Sequence, residues 1–188
     1  MAAEQPRLLR RFELVWLRQP AERCLQVAEP HRPAVLRWIA AGRPAVVRRR
    51  DAAIPPGHVA LGIPLPPSLG GARVALSVPR DAVERFDLPP RLADVAPVAP
   101  WHWQGPLARL ADALAELGLE PRVHGSLAWQ VLTGESYLHP HSDVDLLLRP
   151  RSRRQLRAAL EALAGWEAET GLRADGAVLL PGDEAVDW

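Results

Sequence analysis

The chain has 188 residues, 48% of them hydrophobic, which is enough for one domain or two small domains with a packed core. Its net charge is +1 and it has no lysine, so neither a global attraction to nucleic acid nor lysine-based catalysis is expected. The single cysteine, Cys24, excludes an internal disulfide and a multi-cysteine metal site. Since no apolar run approaches the roughly 20 residues of a membrane helix and the N-terminus lacks a signal core, a cytoplasmic protein without membrane contact is predicted.

The first 88 residues are predicted to form a small α/β domain that is rich in strands and binds a substrate or a partner. Apolar and β-branched stretches indicate strands at 12–17, 45–50, 58–65 and 72–78, and helical spacing indicates a helix at 31–41. Proline pairs before and after the third of these strands break the chain there.

Residues 89–105 are predicted to be a stiff linker, because prolines are dense and hydrophobic periodicity is weak. Trp101 and Trp103 end this stretch. They are interpreted as packing across the domain junction, with stacking on a purine ring as the alternative.

Residues 106–188 are predicted to form a second domain of alternating helices and strands. The spacing of leucines predicts helices at 106–117 and 151–163, closed by Gly118 and Gly165. A strand at 122–124, a short helix at 127–132, a buried central strand at 143–148, and strands at 166–173 and 177–180 complete this prediction.

Two aspartates open the predicted central strand. Because side chains alternate along a strand, Asp143 and Asp145 project to one face, about 7 Å apart. Such a pair can hold Mg²⁺, which prefers oxygen ligands, or can bridge two metal ions. A role in a turn or an ion pair is the alternative.

Gly125-Ser126 lies where a strand is predicted to turn into a helix. Glycine allows the backbone to approach a phosphate, and the N–H groups of a helix start favour an anion. The alternative for Ser126 is a helix N-cap. Together the two motifs predict a phosphate site that faces a metal-binding pair, and their joint occurrence is a more specific signal than either motif alone.

The motifs resemble those of a known family. Gly125-Ser126 followed by Asp143-Val144-Asp145 resembles the nucleotidyltransferase superfamily. The longer strings GSLAWQVLTG (125–134) and HSDVDLLL (141–148) are similar to malonate decarboxylase holo-acyl-carrier-protein synthases, which are phosphoribosyl-dephospho-CoA transferases. Supporting similarities are ELVWL (13–17), VVRRR (46–50), VALGIPLP (59–66) and DGAVLLP (175–181).

The resemblance implies an α/β (α+β) fold with a nucleotidyltransferase-type mixed sheet and flanking helices. It implies transfer of phosphoribosyl-dephospho-CoA from 2′-(5″-triphosphoribosyl)-3′-dephospho-CoA to a serine of the acyl carrier protein subunit of malonate decarboxylase. Diphosphate would be released. Asp143 and Asp145 would hold Mg²⁺, and Gly125 and Ser126 would hold the triphosphate.

The sequence departs from this pattern in two places. A third carboxylate is expected on a later strand, but Ala177 stands after Asp-Gly, which leaves Asp175 as the nearest substitute. The chain is also expected to lack the final strand of its relatives. Two other interpretations therefore stay open: a nucleotidyltransferase with a small-molecule or RNA acceptor, and a carrier-protein-binding module without activity.

Several further residues are weaker candidates. His139, His141 and the Arg48–Arg50 run are candidates for contacts with the substrate, its phosphates or an acidic carrier protein. The arginines at 149–154 are interpreted as a solvated helix start, with a phosphate clamp as the alternative. His124 and Trp129 are interpreted as packed residues.

Overall fold

The computed structural model describes residues 8–18, 25–180 and 184–188, so Cys24 lies outside the described residues. The chain divides into two compact units, residues 1–88 and 89–188. Each unit contains one β-sheet, and the described residues form five α-helices in all, which gives a mixed α/β protein. The mixed α/β class predicted from the sequence is therefore confirmed.

The first unit is built on a six-stranded antiparallel sheet with the strand order β2-β5-β4-β3-β1-β6. Its elements are β1 (Leu14–Leu17), β2 (Gln26–Val27), α1 (Arg32–Ala40), β3 (Ala45–Val47), β4 (His58–Pro64), β5 (Arg73–Pro79) and β6 (Val83–Asp87). Val35 and Trp38 of α1 and Leu61 and Ile63 of β4 are buried. The predicted helix and strands are present, mostly with shorter bounds.

The second unit is built on a four-stranded sheet with the order β10-β9-β8-β7. Its elements are α2 (Leu92–Val95), α3 (Trp101–Glu116), β7 (Arg122–Val123), α4 (Gly125–Thr133), β8 (Val144–Leu148), α5 (Arg153–Thr170), β9 (Ala174–Leu179) and β10 (Ala185–Asp187). β8 and β9 are parallel, so α5 makes the crossover between them, and the other pairs are antiparallel. The prediction of a central buried strand after Asp143 is correct.

The prediction of a linker at 89–105 is wrong. Leu92 and Val95 of α2 are fully buried in the core of the second unit. α3 begins at Trp101 rather than at Pro106, which lies inside the helix. Trp103 is buried in that same core, whereas Trp101 is 84% exposed. The prolines obscured short helical segments whose apolar residues are too few to show a clear period.

The predicted end of α5 and the strand at 166–173 are also wrong. α5 continues through Gly165 to Thr170 and is closed by Gly171, which has a left-handed backbone. Trp166 is buried on the helix, and its indole N–H donates to the Pro106 carbonyl at 2.8 Å. A glycine inside a helix costs only about 1 kcal/mol, and the contacts of Trp166 outweigh that preference.

One apolar cluster joins the helices of the second unit to one face of its sheet. Its members include Leu107, Leu110, Leu114, Leu127, Val144, Leu146, Leu148 and Leu163. Because Val144, Leu146 and Leu148 alternate along β8, they point into the cluster and leave Asp145 on the other face. Within the described residues, no helix is long and apolar enough to cross a bilayer.

The packing of α2 can be tested by truncating Leu92, which is 0% exposed. Leu92→Ala is expected to lower the free energy of unfolding by roughly 2–5 kcal/mol, since it removes a buried side chain and leaves a cavity. Val98→Ala is the control, because Val98 is 62% exposed. Urea unfolding monitored by circular dichroism measures both, and equal small losses would show that α2 contributes nothing to the core.

Candidate active site

The candidate site lies where β7 ends and β8 begins. Val123 pairs with Leu146 in the antiparallel ladder, and the His124 N–H donates to the Asp145 carbonyl at 2.9 Å. Gly125 follows directly and opens α4. The ladder therefore brings the Gly-Ser motif beside the start of the strand that carries Asp145.

Gly125 packs directly against the side chain of Asp145. Its φ angle is +61°, a left-handed conformation that L residues rarely adopt. A Cβ atom built on Gly125 would overlap the Asp145 carboxylate and would lie 2.9 Å from the Asp145 Cβ. Only glycine fits both the angle and the space, so the backbone of the turn touches the carboxylate.

The first turn of α4 leaves the Ser126 hydroxyl available. The residue at the N-cap is His124, whose side chain makes no capping hydrogen bond, so the alternative of Ser126 as the N-cap is wrong. Ser126 is half-buried, and its hydroxyl has no hydrogen bond to another described residue. It lies one residue from the contact between Gly125 and Asp145.

Asp143 precedes β8 and is half-buried. A tight turn leads into it: the Ser142 N–H donates to the His139 carbonyl, and the His139 N–H donates to Ser142 Oγ, both at 2.9 Å. The Asp143 carboxylate forms no hydrogen bond or ion pair with another described residue. His139 and His141 are exposed on the same turn.

Asp175 lies beside Asp145 on the neighbouring strand. The parallel ladder pairs Asp145 with Asp175 directly, so both side chains project from the same face of the sheet. Asp175 is exposed, and its Oδ1 accepts from the Gly176 N–H at 2.7 Å. Ala177, where a third carboxylate was expected, is buried and pairs with Leu147.

The three carboxylates do not converge on one point. Among the described residues, no three His, Cys, Asp or Glu side chains lie close enough together to hold a metal ion. Mg²⁺ commonly takes only one or two carboxylates and completes its shell with water and substrate phosphates. The donor set of Asp143 and Asp145, next to a backbone turn that a Cβ would fill, fits such a site.

The arginines that follow β8 lie away from this edge. Arg149 is six residues beyond Asp143, which is about 20 Å along an extended strand. Arg149, Arg151, Arg153 and Arg154 are all exposed. Their interpretation as a solvated helix start agrees with this position better than a phosphate clamp does.

The Arg48–Arg50 run in the first unit is partly structural. Arg48 pairs with Asp51 at 2.7 Å, and its hydrogen bond holds the pKa of the Asp51 carboxyl below its ordinary value. Arg50 donates to the carbonyls of His58, Ile54 and Pro55. Arg49 is exposed.

Two neighbours of the motifs can also be placed. Trp129 is 7% exposed, so its interpretation as a packed residue is correct. Sequence reasoning missed Arg173, whose carbonyl accepts from the Val144 N–H at 2.8 Å. The wrong strand prediction at 166–173 hid the register that brings Arg173 next to Asp143.

Comparisons with known proteins agree with the two-unit architecture. A family model described as phosphoribosyl-dephospho-CoA transferase MdcG C-terminal domain matches residues 91–188, and the model for the MdcG N-terminal domain matches residues 10–89. No solved structure matches the chain.

Curated relatives point to the same family. A protein named phosphoribosyl-dephospho-CoA transferase from Xanthomonas euvesicatoria pv. vesicatoria is 47% identical over 95% of this chain and 83% of the relative. One with the same name from Bradyrhizobium diazoefficiens is 39% identical over 76% of this chain and 63% of the relative. A third, from Pseudomonas putida, is 35% identical over 87% and 74%.

These similarities show that the chain is a transferase. It belongs to the phosphoribosyl-dephospho-CoA transferase MdcG family. The resemblance drawn from the 125–134 and 141–148 strings is therefore confirmed.

The contact between Gly125 and Asp145 predicts a specific sensitivity to substitution. Gly125→Ala is expected to lower the free energy of unfolding by more than the roughly 1–2 kcal/mol of a left-handed alanine, because the new Cβ also collides with Asp145. Gly134→Ala is the matched control, since Gly134 has a φ of +71° and nothing within 4 Å of a built Cβ. Thermal or urea unfolding compares the two, and equal losses would contradict the close packing at Gly125.

Proposed function

We propose that this chain transfers the 2′-(5″-phosphoribosyl)-3′-dephospho-CoA group from 2′-(5″-triphosphoribosyl)-3′-dephospho-CoA to a serine of the apo acyl carrier protein subunit of malonate decarboxylase. The names of the relatives support the transferred group. The observation that carries the proposal for this chain is the packing of the Gly125 turn against Asp145. It combines a backbone that can approach phosphate with a carboxylate suited to Mg²⁺.

The proposed reaction is a displacement at phosphorus. The serine oxygen of the carrier protein bonds to the α-phosphorus of the 5″-triphosphate, the bond from that phosphorus to the bridging oxygen breaks, and diphosphate leaves. The serine loses its proton and a phosphodiester forms. The proton passes to a base or to water.

The residues of the candidate site have separate roles in this reaction. The Gly125 turn and the Ser126 hydroxyl bind and orient the triphosphate, and the start of α4 favours its negative charge. Asp143 and Asp145 would hold Mg²⁺, which would supply positive charge to the phosphate oxygens. The proposed fold of the second unit is that of the nucleotidyltransferases, supported by the order β7-α4-β8 with Gly-Ser and the aspartates at one sheet edge.

Asp143 offers a direct test, because its carboxylate has no hydrogen bond or ion pair with another described residue to lose. Asp143→Asn is expected to slow transfer by about 100-fold or more, the scale of removing one electrostatic stabiliser of a transition state. Mass spectrometry of the purified apo carrier subunit after incubation with donor and Mg²⁺ measures the reaction. Asp112→Asn, an exposed position on α3, is the control and is expected to retain full transfer.

The same assay separates the rival functions. A mass increase of the carrier subunit equal to the prosthetic group supports the proposal. If a small molecule or an RNA is labelled in preference to the carrier subunit, that molecule and not the carrier subunit is the acceptor. Full transfer by Asp143→Asn, with its circular dichroism unchanged, would overturn the assignment of Asp143.

Removing divalent metal provides a second test. Because the proposed Mg²⁺ site uses only two protein carboxylates, an excess of EDTA is expected to abolish transfer, and added Mg²⁺ is expected to restore it. Undiminished transfer in EDTA, after dialysis against the chelator, would contradict a metal-dependent mechanism.

A further inference from the structure

Arg173 occupies the edge of the sheet where the candidate site lies. The ladder between β8 and β9 pairs Val144 with Ala174, and the Val144 N–H donates to the Arg173 carbonyl at 2.8 Å. The same register places Arg173 next to Asp143, just before the two parallel strands start. Neighbouring strands lie about 4.8 Å apart, so the two residues are adjacent.

The alternation of side chains puts Arg173 on the face of the aspartates. Asp145 and Asp175 share one face of the sheet, and Val144 points into the core on the other. Arg173 lies two residues before Asp175, just as Asp143 lies two residues before Asp145. If the alternation continues for two residues before Asp145 and Asp175, Asp143 and Arg173 lie on the same face as these two aspartates.

The guanidinium of Arg173 is available for a ligand. Arg173 is exposed, and its side chain forms no ion pair or hydrogen bond with another described residue. Other arginines of the same unit do pair, for example Arg109 with Glu169 at 2.9 Å. The Arg173 side chain can therefore bind an anion without first giving up an internal contact.

A triphosphate at this edge requires positive charge from the protein. Asp175 adds a carboxylate that repels phosphate oxygens at this edge, and displacement adds charge to the diphosphate that leaves. The chain contains no lysine, so a protein cation that serves this purpose at neutral pH is an arginine. A guanidinium binds phosphate through two parallel hydrogen bonds.

We infer that Arg173 binds the diphosphate end of the donor, which leaves in the transfer reaction. This inference rests on the proposed function and adds a substrate-binding residue to the Gly125 turn and the aspartates. The arginines at 149–154 do not compete for this role, because they lie at the far end of β8.

The experiment measures the binding of inorganic pyrophosphate with Mg²⁺ to the full chain by calorimetry. Arg173→Gln is expected to weaken binding about tenfold or more, the scale of losing hydrogen bonds to a charged group. Arg173→Lys is expected to retain part of the affinity, because it keeps the charge but loses the two-pronged geometry. Arg154→Gln removes an exposed arginine at the far end of β8 and is expected to change binding less than about twofold.

The results distinguish a failure of the inference on Arg173 from a failure of the proposed function. Equal binding by Arg173→Gln and the unsubstituted chain, equal weakening by Arg154→Gln, or an unsubstituted chain that does not bind pyrophosphate would each overturn the inference. Thermal unfolding checks that Arg173→Gln is folded. If the unsubstituted chain modifies the carrier subunit while Arg173→Gln binds pyrophosphate as tightly as the unsubstituted chain does, only the role of Arg173 fails. If pyrophosphate binding depends on Arg173 but the carrier subunit is not modified, only the proposed acceptor fails.

Discussion

The contact between the Gly125 backbone and the Asp145 carboxylate is the constraint on which the candidate site depends. It requires a left-handed glycine at the start of α4, two residues after β7 ends, and it places this glycine against Asp145 near the start of β8. The antiparallel pairing of β7 with β8 sets the distance between them. Because these two strands occupy neighbouring positions in the sheet, the core that positions them also positions the site.

The apolar cluster of the second unit packs on the face of the sheet opposite Asp145. Val144, Leu146 and Leu148 of β8 enter the apolar cluster formed with the helices, and Asp145 is left on the opposite face. This division follows from the alternation along a strand, which is visible in the sequence. Burial of Val144, Leu146 and Leu148 in this cluster thus places Asp145 on the opposite face.

The prediction from sequence succeeded where a pattern is local. The leucines of α3 and α5 recur at helical spacing, and the strand after Asp143 is apolar except for Asp145, so these elements are predicted correctly in type. Proline-rich residues 89–105 and Gly165 were read as breaks, whereas both lie within packed helical structure. Burial of Leu92, Trp103 and Trp166 outweighed local preferences of about 1 kcal/mol for glycine and about 3 kcal/mol for proline, which a sequence pattern cannot anticipate.

The sequence by itself determined the family and the Gly-Ser and Asp-Val-Asp motifs, because each depends on residues close together in the chain; the common face of Asp143 and Asp145 stays a prediction. Only the tertiary structure decided that Gly125 touches Asp145, that Asp175 pairs with Asp145, and that Arg173 lies beside Asp143. The last two depend on the register of parallel strands separated by α5. Register between distant strands is set by the packing of the crossover helix and the sheet together, and no short stretch of sequence encodes it.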